Sequence, residues 1–171
     1  MPRTTHLKAG HKAIQQYHAA LNVYSGQHVE HEGALETAFQ RLLADTARDV
    51  KGWTLIPKQS MKVGGRTVIP DGTVRDDFLR RGYWEAKDTH DDLDAEIRKK
   101  IDKGYPLGNI IFEDTRQAVL YQGRRERARY DLTNPQKVAD LLNDFYDYAE
   151  PDIEGFEQAV QEFKDKEAGR P

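Results

Sequence analysis

VIPDGTV, residues 68–74, and GYWEAKD, residues 82–88, decide how this chain is read. Both stretches are short, rich in β-branched and aromatic residues, and bounded by glycine or charged turns, so both read as strands. Side chains alternate along a strand, which puts Glu85 and Lys87 on one face and Trp84 and Ala86 on the other. Asp71 lies 14 positions before Glu85. If the strand that follows Asp71 pairs with the strand carrying Glu85, two carboxylates and an ammonium meet within a few ångströms. Hard oxygen ligands of this kind suit Mg²⁺, with Mn²⁺ as a substitute. Phosphodiester hydrolysis needs an activated water and positive charge against the phosphate oxygens; a metal on Asp71 and Glu85, with Lys87 beside it, meets both needs. The plainer alternative is a Pro-Asp-Gly turn and an exposed Glu-Lys pair on an edge strand.

Working outward, WTLIPKQSMKV (53–63) and RTVIPDGTVRD (66–76) read as two strands and RRGYWEAKD (80–88) as a third, forming an antiparallel meander. Ahead of them, Ala9, Ala13, Ile14, Tyr17, Ala20, Leu21 and Tyr24 recur at helical spacing, marking a peripheral helix that Ser25 and Gly26 interrupt. A second stripe, Leu35, Ala38, Phe39, Leu42, Leu43 and Thr46, predicts a helix from about His28 to Val50. After the meander, Leu93, Ile97 and Ile101 predict an amphipathic helix within 91–103, closed by Gly104 and Pro106. NIIFE (109–113) and QAVLY (117–121) read as two more strands, and GRRERARY (123–130) as a basic turn. Thr133-Asn134-Pro135 is a helix-start signal for a helix over Val138–Tyr148, and a last helix runs over Ile153–Lys166. The order α-α-β-β-β-α-β-β-α-α predicts an α/β fold, a mixed central sheet of about five strands flanked by helices.

The second helix can add a third carboxylate. At about 100° per residue, Glu32 falls among Phe39, Leu43 and Thr46 while Glu36 lies at the margin of that apolar face, so Glu32 is the preferred helix acid over Glu36. Five of the six histidines lie within residues 1–31, but only His28 and His31 share a ligand-like spacing, and all are read as solvated helix histidines. Arg116, Arg124, Arg125, Arg127 and Arg129, with Arg98, Lys99, Lys100 and Lys103, are candidates for phosphate contacts.

Composition bounds the remaining classes. The chain has 171 residues, enough for one well-filled core, and a charged fraction of 32% over 37% hydrophobics. With no cysteine, it has no disulfide framework, thiol nucleophile or Cys-ligated zinc. Twenty-six basic against 29 acidic residues give a net charge of −3, so any nucleic-acid contact is local. Residues 131–157 hold eight acidic residues against Lys137 alone, a face that DNA avoids. No signal-length apolar core or run of about 18 apolar residues occurs, and a soluble, cytoplasmic protein without a membrane partner is expected. The ending EFKDKEAGRP carries no helix cap and is read as excised from something longer.

Ile69-Pro70-Asp71-Gly72 and Trp84-Glu85-Ala86-Lys87-Asp88, behind an acid-bearing helix, resemble the PD-(D/E)xK nuclease superfamily. Within it, VIPDGTV, GYWEAKD, KGYPLGNIIFED and AVLY look most like the Mrr-like nuclease domain of type ISP restriction-modification enzymes. The resemblance covers roughly His28 to Tyr148. It implies a restriction-endonuclease-like core over 28–150, a helical extension over 1–27, and a helix or linker over 151–171 leading toward a missing domain. It implies Asp71 and Glu85 as metal ligands, with Ala86 in the same set, Lys87 as the catalytic lysine and Glu32 as the helix acid. Gln117 is a candidate for the glutamine that some members carry. The implied function is Mg²⁺-dependent cleavage of double-stranded DNA as the nuclease module of a larger polypeptide with motor and methyltransferase domains, with transient pairing of nuclease domains on DNA. The alternatives are a catalytically silent nuclease-fold module for DNA binding or docking, and a stand-alone repair nuclease; a net charge of −3 disfavours the latter.

Overall fold

The computed structural model describes residues 6–26, 32–149 and 153–169. Helices α1 (Lys12–Gly26) and α2 (Glu32–Lys51) lead into strands β1 (Thr54–Pro57), β2 (Met61–Val63), β3 (Arg66–Val68), β4 (Gly72–Arg75) and β5 (Arg80–Ala86). Helix α3 (Leu93–Asp102) crosses to β6 (Asn109–Glu113), β7 (Gln117–Gln122) and β8 (Arg125–Asp131), and α4 (Pro135–Asp147) and α5 (Ile153–Ala168) complete the chain. Six strands form one sheet in the order β1-β4-β5-β6-β7-β8, and β2 and β3 form a separate hairpin. The sheet is mixed: β5 and β6 run parallel across the α3 connection, while every other neighbouring pair is antiparallel. The α/β class and the mixed sheet flanked by helices are as the sequence predicts.

The strand count differs from expectation in three places: 53–63 divides into β1 and β2, 66–76 divides into β3 of the hairpin and β4 of the main sheet on either side of Ile69-Pro70-Asp71, and 123–130 is mostly strand. Residues 53–63 do not form one strand, because Lys58 takes a left-handed φ of 53° directly after Pro57 and turns the chain out of the sheet. The chain then makes the β2–β3 hairpin, whose Gly64 and Gly65 (φ 55° and 81°) supply the two positive angles of a tight two-residue turn. The predicted basic turn at 123–130 is mostly strand β8; only Gly123 and Arg124 turn, again with positive φ at both (59° and 69°). In β8 the charged residues are exposed and Tyr130 is buried.

Both faces of the sheet are covered, which explains why all five residues of NIIFE are buried. On one face, Val74, Trp84, Ile111, Ala118 and Leu120 pack against α1, α2 and α4. On the other, Ile110, Phe112 and Val119 pack against Leu93 and Ile97 of α3 and against Met61 and Val68 of the hairpin. Helix α1 belongs to the first core rather than lying at the periphery: Ile14 and Tyr17 are buried with α2, and Leu7 exchanges two main-chain hydrogen bonds with the Asn143 side chain of α4. Trp84 stacks on Phe39 of α2 with ring centroids 5.5 Å apart; each such buried side chain contributes about 1.5–3 kcal/mol. Asp92 and Asn134 cap α3 and α4 by accepting N–H groups of their first turns. Among the described residues, no helix is long and apolar enough to cross a membrane.

Candidate active site

Register builds the site. Gly72 pairs with Trp84, so Asp71, one residue ahead of β4, comes beside Glu85 of β5. The main-chain N–H of Asp71 donates to Glu85 Oε1 at 3.2 Å, and the N–H of Ala86 donates to Asp71 Oδ2 at 2.8 Å. Glu85 is 2% exposed and Asp71 8%, so the reading of an exposed Glu-Lys pair on an edge strand does not apply. Glu85 faces α3, opposite to Trp84. Lys100 of α3 sets its Nζ 3.1 Å from Glu85 Oε2, so this buried oxygen, which lacks a well-formed hydrogen bond, has a positive charge beside it. Tyr105, just past α3, closes the floor, with its hydroxyl 3.3 Å from Lys100 Nζ and from the Ile69 carbonyl oxygen.

Lys87 leaves β5 on the Glu85 side and turns toward α3, where its Nζ lies 3.7 Å from Glu96 Oε2. Its main-chain N–H donates to the Glu113 carbonyl at 2.7 Å, which fixes the end of β5 against β6. Glu32 begins α2, and its side chain lies outside the described residues, as do His28 and His31. Glu36, one turn further on, reaches the site through Lys58: the Lys58 ammonium is 2.9 Å from Glu36 Oε1 and also bonds Asp71 Oδ1. The sequence reading did not name Lys58, because its placement depends on a left-handed backbone turn that nothing in the residue pattern announces. Lys100 was visible only as one of several helix lysines. Gln117 is exposed at the start of β7, its N–H capped by Asp114 Oδ1 at 2.8 Å.

The charges interact strongly. Burial pushes the Glu85 carboxyl up to about 7, helped by the Asp71 carboxylate and opposed by Lys100. Burial works in the same direction on Asp71, but hydrogen bonds from Glu85, Lys58 and the Ala86 N–H outweigh it and hold this carboxyl below its ordinary value. Lys87 is lowered by burial and by the like charge of Lys100. Burial also acts to lower Lys58 and Lys100, and their carboxylate partners more than reverse it, keeping both ammoniums charged. Behind the site, Glu113 is fully buried and pushed up to about 8 by desolvation, against hydrogen bonds from the Trp84 indole N–H and the Thr115 N–H.

The donor set fits a hard divalent cation. Asp71 and Glu85 set two carboxylates side by side, with Glu85 Oε2 buried and lacking a hydrogen-bond partner, and Ala86 can add only its main-chain oxygen. Among the described residues no group of three or more histidines and carboxylates gathers. Two carboxylates with retained waters are what Mg²⁺ commonly takes. Of the described histidines, His6 and His11 face Asp147 and Asp49 and His18 the Leu132 carbonyl, while His90 is exposed in the turn after β5, its main-chain N–H donating to Asp88 Oδ1 at 2.9 Å.

No family model matches the chain, and no curated protein matches it. Solved structures do. A chain in the cryo-EM structure of a DrdV–DNA complex is 39% identical, with a TM-score of 0.78, over 91% of this chain and 16% of that one. This chain therefore resembles a region of a much longer protein solved in complex with DNA, and spans about 16% of its length.

Proposed function

We propose that this chain is a metal-dependent DNA endonuclease domain of the PD-(D/E)xK type, acting as the cleavage module of a restriction-modification enzyme like those of type ISP. The observation that carries the reading is the convergence of Asp71 and Glu85 at one end of paired strands, with Lys87 on the same face. The 39% identity to a chain from a protein–DNA complex supports nucleic acid as the substrate class, and the 16% coverage of that chain supports a module of a larger polypeptide, to which the proposal assigns motor and methyltransferase domains.

A Mg²⁺ ion held by Asp71, Glu85 and the Ala86 main chain would supply charge against the phosphate oxygens and acidify a water. The side chains do the rest. Lys87, whose pKa burial and the like charge of Lys100 lower, holds and orients the attacking water as an ammonium, and takes up the water's proton only in its neutral amine form. Glu96 and Lys100 position Lys87 and Glu85 from α3. Tyr105 and Glu85 are buried side by side beneath α3, which keeps this part of the site away from bulk solvent.

The test is cleavage of supercoiled plasmid at high protein concentration with Mg²⁺ or Mn²⁺, against Ca²⁺ and EDTA, with calorimetric metal titration of the same samples. Metal-dependent nicking is expected, with Asp71→Ala and Lys87→Ala each lowering it by at least about a hundredfold. Metal binding through Asp71 without nicking would mark a nuclease that needs a second copy or its motor. Neither binding nor nicking would leave a silent DNA-binding or docking module.

A further inference from the structure

We propose that Lys58 is a tethered counter-cation of Asp71 that holds the metal-free site together and competes with the divalent ion for the Asp71 carboxylate. The inference rests on the nuclease reading and concerns how that site is loaded.

Three features of the geometry converge on it. First, Lys58 is built in at a conformational cost: its φ of 53° is one that glycine adopts freely and a lysine does not. Such a conformation persists where the surrounding contacts hold it, and at Lys58 those contacts are to Asp71 and Glu36. Its main-chain N–H donates to the Asp71 carbonyl at 3.1 Å, so the backbone of Lys58 is pinned to the residue whose carboxylate its own ammonium bonds. Second, the ammonium takes the oxygen a metal needs. Asp71 Oδ2 already accepts the Ala86 N–H at 2.8 Å, leaving Oδ1 as the outward oxygen, and Lys58 sits on it. An ammonium and a divalent ion on the same oxygen repel each other, so they compete there. Third, Lys58 is the lysine free to yield. Its side chain is 59% exposed, against 15% for Lys100 on Glu85, so Lys58 can swing into solvent while Lys100 stays enclosed. Glu36, 2.9 Å from the same ammonium, gives the displaced lysine a second anchor on α2 and keeps it at the mouth of the site.

The experiment measures Mn²⁺ binding to the full chain by electron paramagnetic resonance and calorimetry, without DNA. It compares wild type with Lys58→Gly, which suits the backbone angle, Lys58→Gln, which keeps the length without the charge, and Lys58→Arg, which keeps the charge. The two uncharged variants should bind Mn²⁺ about tenfold more tightly, with Lys58→Arg within about twofold of wild type. If Lys58→Gly does not fold by circular dichroism, Lys58→Gln gives the same reading. Unchanged or weaker Mn²⁺ binding in a folded uncharged variant overturns the proposal, and so does equal tightening in Lys58→Arg. If wild type and both uncharged variants bind no Mn²⁺, the metal reading falls and this proposal falls with it. If wild type binds through Asp71 and loss of the lysine charge changes nothing, only this proposal fails.

Discussion

A single carboxylate can close a turn, and Asp76 shows how. At the β4–β5 turn its Oδ1 accepts the N–H groups of Phe78 (2.8 Å) and Leu79 (2.6 Å), while Oδ2 takes both Nε and Nη2 of Arg81 (2.9 and 2.6 Å). Desolvation acts to raise this carboxyl and is the largest single influence, but the two N–H groups and Arg81 together outweigh it and hold the pKa below the ordinary 3.8. A depressed folded-state pKa means that the contribution is present in full above about pH 4 and is lost as pH falls below it. Asp76→Asn keeps the turn acceptor and removes the charge on Arg81, so it should cost about 1 kcal/mol at pH 7 after solvent screening. Urea unfolding of both proteins from pH 7 to pH 3 checks this: the gap should close toward pH 3, and a constant gap would show that the charge is irrelevant. At the same scale, Asp71, Glu85 and Lys87 were legible as a constellation because strand alternation and pairing are strict geometric rules. Lys58 and Glu36 were not, since their meeting needs a left-handed residue and a helix angle that spacing alone does not encode. The apolar stripe put Glu32 ahead of Glu36, whereas contact with Lys58 gives Glu36 the described link to Asp71.

Elements meet most tightly where side chains have been deleted. A Cβ added at Gly82 of β5 would lie 2.4 and 2.6 Å from ring carbons of Phe145 and 3.0 Å from Asn109 Nδ2. Phe145 is 1% exposed on α4, and that Asn109 amide donates to the carbonyls of Arg81 and Phe145, so neither neighbour can retreat without breaking something. Gly82→Ala should therefore cost about 1–3 kcal/mol by overpacking. Gly10→Ala, where nothing lies within 4 Å, should stay within about 0.5 kcal/mol. Thermal unfolding of the two variants separates the cases, and equal melting temperatures would mean that α4 does not seat on β5 as described. The elements most visible in the sequence are those with an uninterrupted period: α2, α3, α4, β6 and β7. Strand β8 was hidden because only Ala128 and Tyr130 turn inward among charged neighbours, and an edge strand needs no more. The β2–β3 hairpin was hidden because 53–63 looks continuous until the backbone angle at Lys58 is known.

Charge is unevenly distributed among the described residues, and the face that carries the site offers several exposed basic side chains to a polyanion. The net charge is −3, and the segment around α4 carries most of the local acidic excess, with eight acidic residues over 131–157 against one lysine. The site lies on the other side, where α3 and the β2–β3 hairpin pack together over one face of the sheet and Arg66 Nη1 donates to the Asp102 carbonyl at 2.7 Å. This side exposes Lys62 and Arg66 on the hairpin and Arg98, Lys99 and Lys103 on or just after α3, all on the elements that also bring Lys100 and Glu96 to the site. If DNA reaches Asp71 and Glu85, its phosphates pass over these side chains. Each phosphate neutralised on duplex DNA contributes about 0.9 to the slope of log affinity against log salt. The triple variant Lys62→Ala, Arg98→Ala, Lys103→Ala should therefore flatten that slope by about 2–3 and weaken duplex binding more at 50 mM than at 200 mM salt. Asp140→Asn on the acidic face should change affinity by less than about twofold. Fluorescence anisotropy with a labelled duplex in Ca²⁺, which blocks turnover without removing the cation, reads both. A triple variant that keeps the wild-type slope would show that DNA approaches from another side, because loss of its phosphate partners must appear in the salt dependence whatever the sequence bound.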